Sequence, residues 1–185
     1  MIKYPELNDR LHIGVTAPSS GVSDEMKNIL EEAVAKMEDN KHKVTVGATS
    51  WLQDRVRSTT ALERANELNL FLQSSEINLV FPPFGGELLI EILEYIEFDK
   101  IKPKWILGYS DISLLLFVIT LKTGIATAHD TNIVDLRGEH SDETTKKWLN
   151  VLHTRSNEKI IQYSSEKYQK DWDYENLSPD RKSVV

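Results

Sequence analysis

Short strand-like runs that alternate with helical patterns constrain the fold of this chain most strongly. Strand-like runs occur at 11–16, 43–46, 77–81, 105–107, 125–128 and 160–163. Apolar spacing predicts helices over 24–39, 59–74, 87–95, 111–123 and 141–153, with Ser23 and Ser141 as caps of the first and last. Because helices of this length separate consecutive strands, we predict an α/β fold with a mostly parallel sheet flanked by helices.

The segment 104–112 combines a buried strand, a sharp turn that carries a serine, and a helix. Gly108 allows the chain to bend before Ser110. This order is typical of a nucleophile elbow, which lifts a hydroxyl above the sheet near the positive end of the next helix. The alternative is that Ser110 or Asp111 only caps the helix, since both residue types are favoured there. Ile112 stands where the G-x-S-x-G pattern has its last glycine.

Gly85 and Gly86 end the strand-like run before the elbow strand. Two glycines let the backbone approach a substrate without a Cβ in the way, which suits an oxyanion donor. The alternatives are a simple strand-to-helix turn or an anion site at a helix N-terminus. Glu87 is predicted in the first turn of the following helix, where it favours the helix dipole or contacts a cationic substrate group.

Four motifs in order carry a family resemblance. They are Ile-Gly-Val-Thr-Ala-Pro-Ser-Ser-Gly at 13–21, the glycine pair at 85–86, Gly-Tyr-Ser-Asp at 108–111, and a strand ending in His129. From about residue 11 to about residue 175 the chain resembles the LD-carboxypeptidase family of serine peptidases, which includes the microcin C immunity proteins. The resemblance implies the family's N-terminal domain, which is flavodoxin-like or class I amidotransferase-like.

The resemblance also implies roles for the candidate site residues. Ser110 would be the nucleophile, and the backbone N–H groups of Gly86 and Asp111 would be oxyanion donors. Gly85 and Glu87 are candidate substrate-binding residues because of their own positions in the glycine turn, and the resemblance assigns no role to them. The family's glutamate and histidine partners lie in a C-terminal domain that we expect to be absent here. His129 resembles the histidine of a His-Gly pair near the family's site, although Asp130 follows it in this chain. It is a candidate base, with a structural histidine as the alternative.

The domain organisation expected from this resemblance is one nucleophile-bearing domain over 1–163. Residues 164–185 are polar and would form a tail or a linker toward the second domain. Family members often pair, so a homodimer is expected.

The implied function is hydrolysis of an amide in a murein peptide or in a peptidyl or aminoacyl-nucleotide analogue. The Gly85-Gly86 pair lacks the preceding arginine of some murein-acting members, which favours the immunity branch. The main alternative is an inactive α/β domain that binds a ligand or partner, because strand ends of such sheets bind ligands whether or not chemistry follows. A third hypothesis is an unrelated esterase-like or amidotransferase-like fold that shares only the nucleophile elbow.

Composition excludes several other classes of function. A net charge of −7 argues against a nucleic-acid partner. The sequence has no cysteine, no metal-binding cluster and no dinucleotide or phosphate-loop motif, so no cofactor or metal is predicted. The sequence has no 18-residue apolar run and no signal-peptide core, so we expect no membrane partner and a cytoplasmic location.

Overall fold

A five-stranded parallel sheet lies at the centre of the fold. The computed structural model describes residues 2–137, 144–155 and 157–163. The strands are β1 (His12–Val15), β2 (Lys43–Val46), β3 (Leu79–Val80), β4 (Trp105–Gly108) and β5 (Ala128–His129). Their order is β2-β1-β3-β4-β5, and every neighbouring pair is parallel. The sheet confirms the predicted α/β class, and its strand order is that of flavodoxin-like folds.

Four α-helices cover the two faces of this sheet. They are α1 (Lys27–Asp39), α2 (Ala61–Gln73), α3 (Ile112–Thr123) and α4 (Trp148–His153). Short 3-10 helices occur at Asp24–Met26, Ala48–Trp51, Leu89–Tyr95, Phe98–Lys100, Ile133–Leu136 and Thr145–Lys147. One core cluster contains buried residues of α1 and α4, and the second contains those of α2 and α3. None of the helices in the described ranges is long and apolar enough to cross a membrane.

Alternating side chains of β4 separate the two cores. Trp105 and Leu107 belong to the core on the α1 side, whereas Ile106 belongs to the core on the α2 side. This is the period-two pattern of a strand buried on both faces. In β1, a Cβ on Gly14 would lie 2.7 Å from the Phe71 ring of α2, so the glycine lets this helix approach the sheet closely.

Several predicted elements differ from the structure. The helix expected over 87–95 is a 3-10 helix that begins at Leu89, so Glu87 precedes it and is not a first-turn residue. Ser23 occupies an N-cap position but makes no capping hydrogen bond through its side chain. The strand predicted at 160–163 is wrong, because these residues are exposed and pair with no strand in the described part of the chain. Ser141 and the tail 164–185 lie outside the described residues.

The topology brings the candidate residues to one edge of the sheet. Parallel strands have their carboxyl ends at the same edge, where ligands bind in open α/β sheets. The strand order reverses between β1 and β3, so the loops that follow these two strands diverge there. Gly85 follows β3, Ser110 follows β4 and His129 ends β5. The elbow and the glycine pair therefore meet beside this switch point.

Candidate active site

Ser110 has the backbone geometry of a nucleophile elbow. It lies between β4 and α3 with φ of 61°, in the left-handed region, and its side chain is exposed. This conformation costs a residue that has a Cβ about 1 kcal/mol or more. The Ser110 hydroxyl donates no hydrogen bond to any residue within the described ranges. The turn therefore presents a strained, unengaged hydroxyl at the sheet edge.

The capping alternative holds only for the position of Asp111, which is the N-cap of α3, since its side chain makes no capping hydrogen bond. The Asp111 carboxylate instead accepts a hydrogen bond from the Ser19 hydroxyl at 2.6 Å and from the Leu89 N–H at 2.9 Å. Asp111 thus joins the start of α3 to the loops that follow β1 and β3.

Gly85 and Gly86 pack directly against this turn. A Cβ on Gly85 would lie 2.8 Å from the Ser110 Cβ and 3.0 Å from its Oγ. A Cβ on Gly86 would lie 2.2 Å from the Ser19 Oγ, and Gly86 has φ of 150°. Both positions therefore favour glycine, because a Cβ at Gly85 would collide with Ser110 and a Cβ at Gly86 would collide with Ser19.

The peptide group between the two glycines has a defined orientation. The Ser20 N–H donates to the Gly85 carbonyl oxygen at 3.0 Å. In a trans peptide the N–H points away from the carbonyl, so the Gly86 N–H points away from the loop that holds Ser20. Neither this N–H nor that of Asp111 donates to another residue in the described part of the chain. Two free backbone donors therefore flank the Ser110 turn.

A cleft of about 420 Å³ opens beside Ser110. Phe84 and Tyr109 contribute aromatic walls, and Gln53 and Asn132 contribute amide groups. Both glycines also line it. This combination of aromatic and uncharged polar groups suits a small ligand with both ring and polar parts.

His129 and Glu87 lie outside the lining of this cleft. His129 pairs with Gly108 in the ladder between β4 and β5, so it reaches the predicted sheet edge, and its side chain is exposed. No hydrogen bond joins its ring to Ser110 within the described residues. Glu87 is exposed on the loop after the glycines. The structure brings together Ser110, Gly85, Gly86 and Asp111, but not these two.

Arg64 is a buried residue of the site that sequence reasoning missed. Its side chain is fully buried and donates to the carbonyl oxygens of Pro18 at 2.7 Å and Leu88 at 3.0 Å. It also forms an ion pair with Glu91 at 2.6 Å. Burial lowers the pKa of Arg64, and the Glu91 carboxylate opposes that shift.

Helix periodicity contained a signal for this burial. Position 64 precedes the buried Leu68 and Leu72 by one and two turns, so it lies on the apolar face of α2. The sequence interpretation, a helix that simply packs its apolar side on the sheet, is therefore incomplete. The Arg64 guanidinium holds the loop after β1 and the loop after β3 to the same helix.

The sheet order, the strained serine turn and the adjacent glycine loop define an α/β domain of the nucleophile-elbow class. Residues 13–130 match the family described as the LD-carboxypeptidase N-terminal domain. The chain belongs to this family. The resemblance drawn from the four sequence motifs is thereby confirmed.

Two curated relatives show how much of a family member the chain covers. A predicted carboxypeptidase of Vibrio cholerae is 30% identical over 151 residues, which are 79% of this chain and 45% of that protein. The microcin C7 self-immunity protein MccF of Escherichia coli is 30% identical over 157 residues, covering 82% of this chain and 45% of its own length. The chain therefore spans about half the length of the curated relatives it matches.

Solved structures of MccF share the fold. MccF in its inactive mutant apo state has a TM-score of 0.81 and 28% identity, covering 97% of this chain and 56% of that chain. MccF in complex with aspartyl sulfamoyl adenosine has a TM-score of 0.77 and 26% identity, covering 100% of this chain and 55% of that chain.

Proposed function

We propose that this chain is the nucleophile-bearing domain of a serine-type carboxypeptidase or amidase. Ser110 attacks the carbonyl carbon of an amide, and the N–H groups of Gly86 and Asp111 stabilise the oxyanion that forms. Collapse of this intermediate breaks the C–N bond, and the amine leaves with a proton. Water then attacks the acyl-serine, releases the carboxylic acid and restores the Ser110 hydroxyl.

One observation carries this proposal. Ser110 holds a left-handed backbone conformation next to a glycine loop that has no room for a Cβ. Such strain persists at functional sites because the surrounding structure enforces it. A purely structural turn at this position would be satisfied by glycine without this cost, or by asparagine or aspartate at a lower cost than serine.

The general base is the part of the mechanism that the described residues do not supply. Ser110 has no hydrogen-bonded histidine, and His129 lies outside the cleft lining. A serine hydroxyl needs a base to become a nucleophile. We therefore infer that the base and the group that orients it come from outside the described residues, as the family resemblance implies.

The substrate class follows from the relatives and from the cleft. MccF structures contain glutamyl sulfamoyl guanosine and aspartyl sulfamoyl adenosine. The aromatic and amide groups of the cleft suit a ligand that joins an amino acid to a nucleoside. We infer that an aminoacyl or peptidyl nucleotide analogue is the preferred substrate, and a murein peptide is the second candidate.

Amide hydrolysis tests the proposal. A murein tetrapeptide and an aminoacyl sulfamoyl adenosine are incubated with the wild-type chain and with Ser110→Ala, Ser113→Ala and His129→Ala. We expect any turnover to be lost in Ser110→Ala, because the nucleophile is gone, and to persist in Ser113→Ala, a matched change three residues along α3. Loss in His129→Ala would assign the base to that residue. Undiminished turnover in Ser110→Ala would contradict the proposal.

The second candidate function is a non-catalytic domain that binds a small ligand or partner in the same cleft. The observation that favours it is the unengaged Ser110 hydroxyl, which has no base among the described residues. Tight binding of the sulfamoyl adenosine by calorimetry, without turnover in the wild-type chain, would support this candidate.

Pairing into a homodimer also remains a prediction. Sedimentation at high protein concentration should show a dimer, and a monomeric mass under these conditions would contradict it.

A further inference from the structure

The loop that carries Gly86 is held by side chains rather than by regular secondary structure. The 3-10 helix after it starts only at Leu89. Its attachments are the contacts already described: Ser20 holds the Gly85 carbonyl, Arg64 holds the Leu88 carbonyl, and the Asp111 carboxylate holds the Leu89 N–H. The position of the Gly86 N–H therefore depends on a few specific hydrogen bonds.

One of these attachments also involves the Ser110 turn. It is the contact that Asp111, the residue after Ser110, makes with Ser19 and with the glycine loop. The Ser19 hydroxyl is buried and donates to the Asp111 carboxylate at 2.6 Å, although the two residues are 92 positions apart. The same hydroxyl oxygen lies 3.4 Å from the Leu88 nitrogen as its acceptor. Ser19 thus contacts both the nucleophile turn and the glycine loop.

We propose that the side chains of Asp111 and Ser19 are positioning residues that hold the Gly86 N–H beside Ser110. This inference rests on the proposed function of the site, and it assigns to Asp111 a second role besides its backbone donor. The carboxylate accepts from a helix-opening N–H and a hydroxyl, and hydrogen bonds to a charged acceptor are the strong class. Loss of either partner releases the loop without removing any backbone donor.

Catalysis is sensitive to such a release. Removal of one oxyanion donor in serine hydrolases slows the reaction by about 100-fold to 1,000-fold. A donor that remains present but is no longer held in place should cost less, on the order of 10-fold. Ser19→Ala and Asp111→Ala should therefore impair the chemistry of Ser110 while leaving every backbone N–H in the chain.

Hydrogen exchange of the chain, read by mass spectrometry on peptides that cover 81–92, tests the inference without any need for activity. We expect the Leu88 and Leu89 amides to exchange about 10-fold faster in Ser19→Ala and Asp111→Ala. Each substitution removes the acceptor of one of these amides and the hydrogen bond that orients the acceptor of the other. Asp111→Asn keeps an acceptor oxygen and should lie closer to wild type. Amides of β1 and α1 should be unchanged.

Ser50→Ala is the matched control for Ser19→Ala. Ser50 is also a fully buried serine, and its hydroxyl donates to the Val15 carbonyl, away from Asp111. Ser19→Ala removes the two hydrogen bonds of a buried hydroxyl and Ser50→Ala removes one, so both should lower thermal stability, Ser19→Ala the more. Only Ser19→Ala should accelerate exchange at 88 and 89. Equal exchange in wild type and Ser19→Ala would overturn the inference.

Labelling with a fluorophosphonate, with imidazole added as the base that the described residues do not supply, separates positioning from a merely structural role. The labelling rate of Ser110 should fall about 10-fold in Ser19→Ala and remain at the wild-type value in Ser50→Ala. Faster exchange with unchanged labelling would overturn the positioning role. Ser110→Ala should show wild-type exchange and no label. Absence of any Ser110 label in the wild-type chain would count against the proposed function, and the exchange data would still decide the inference.

Discussion

Ser110 adopts a backbone conformation that its Cβ makes costly. Its φ of 61° is one of the few positive values at non-glycine residues in the described chain, and its side chain is exposed rather than buried by packing. Contacts of the Ser110 side chain therefore do not offset the strain. It is maintained by the sheet behind it and by the loops that Asp111 joins to it.

This strain gives a stability prediction at position 110. Ser110→Gly should be more stable than Ser110→Ala by about 1 kcal/mol, because glycine adopts positive φ without a Cβ clash. At an ordinary position the order would be reversed, since glycine costs more conformational entropy than alanine. Urea unfolding of the two variants measures the difference. A more stable alanine variant would show that the turn is not strained.

Gly85 gives a second prediction at the scale of one residue. In Gly85→Ala the new methyl group would lie 3.0 Å from the Ser110 Oγ and 3.2 Å from the Asp111 nitrogen. We expect fluorophosphonate labelling of Ser110 to slow by about 10-fold or more, because the loop must retreat from the nucleophile.

Gly124→Ala is the control for this change. Gly124 ends α3 in a left-handed conformation with φ of 71°, so alanine there should cost about 1 kcal/mol of stability without slowing Ser110. Comparable labelling rates for Gly85→Ala and wild type would contradict the assigned packing.

At the scale of elements, the helices and strands that could be predicted were those with a clear hydrophobic periodicity in the sequence. β2 was predicted with its observed bounds, and α2 within two residues at its start, because the apolar spacing of each segment marked it. The apolar segment after Gly86 was predicted as a helix, but apolar density does not distinguish a 3-10 helix from an α-helix. The pattern at 160–163 had β-prone residues, but these residues pair with no strand among those that the structure describes.

In the candidate site, too, the residues with a local sequence signal were predicted and those with only long-range contacts were not. Ser110 and the glycine pair were found because an elbow and a Gly-Gly turn are local signals. The contact of Ser19 with Asp111 spans 92 positions, and the burial of Arg64 depends on loops from two strands. The helical spacing of Arg64 with Leu68 and Leu72 indicated its burial, but its partners, like the Ser19–Asp111 contact, can be identified only once the strand order is known.

Lys104 gives a pH prediction for the end of α2. It is buried, and its ammonium group donates to the carbonyl oxygens of Phe71 and Ser74 at that helix terminus. Burial, with Lys102 nearby, lowers the pKa of Lys104 from 10.5 to about 8. Between pH 8 and pH 10.5 the unfolded chain then binds more protons than the folded chain, so the contribution of Lys104 to stability rises with pH over this range.

Urea unfolding between pH 7 and pH 10.5 checks this sign. The stability of the wild type relative to Lys104→Met should increase above pH 8 and stay constant below it. Lys102→Met, which changes an exposed lysine two residues away, should keep most of the wild-type pH dependence, because burial is the larger cause of the lowered pKa of Lys104. Parallel curves for the wild type and Lys104→Met would contradict the lowered pKa.

At the scale of the whole molecule, the described residues carry one part of the proposed reaction centre. The nucleophile and both proposed oxyanion donors lie on loops after β3 and β4, and the loop after β1 supports them. The chain also covers about half of the length of MccF. These facts fit a domain whose remaining catalytic groups approach from the open side of the cleft.

The central claim is that Ser110 is a nucleophile in a formed oxyanion site for which the described residues supply neither the base nor the group that orients it. The most direct test is peptide mapping of the fluorophosphonate-treated chain at increasing concentrations of imidazole, a small base that can enter an open cleft. We predict modification at Ser110, at a rate that rises with neutral imidazole, and none there in Ser110→Ala. Modification spread over other exposed serines, with Ser110 no faster than they are, would contradict the account.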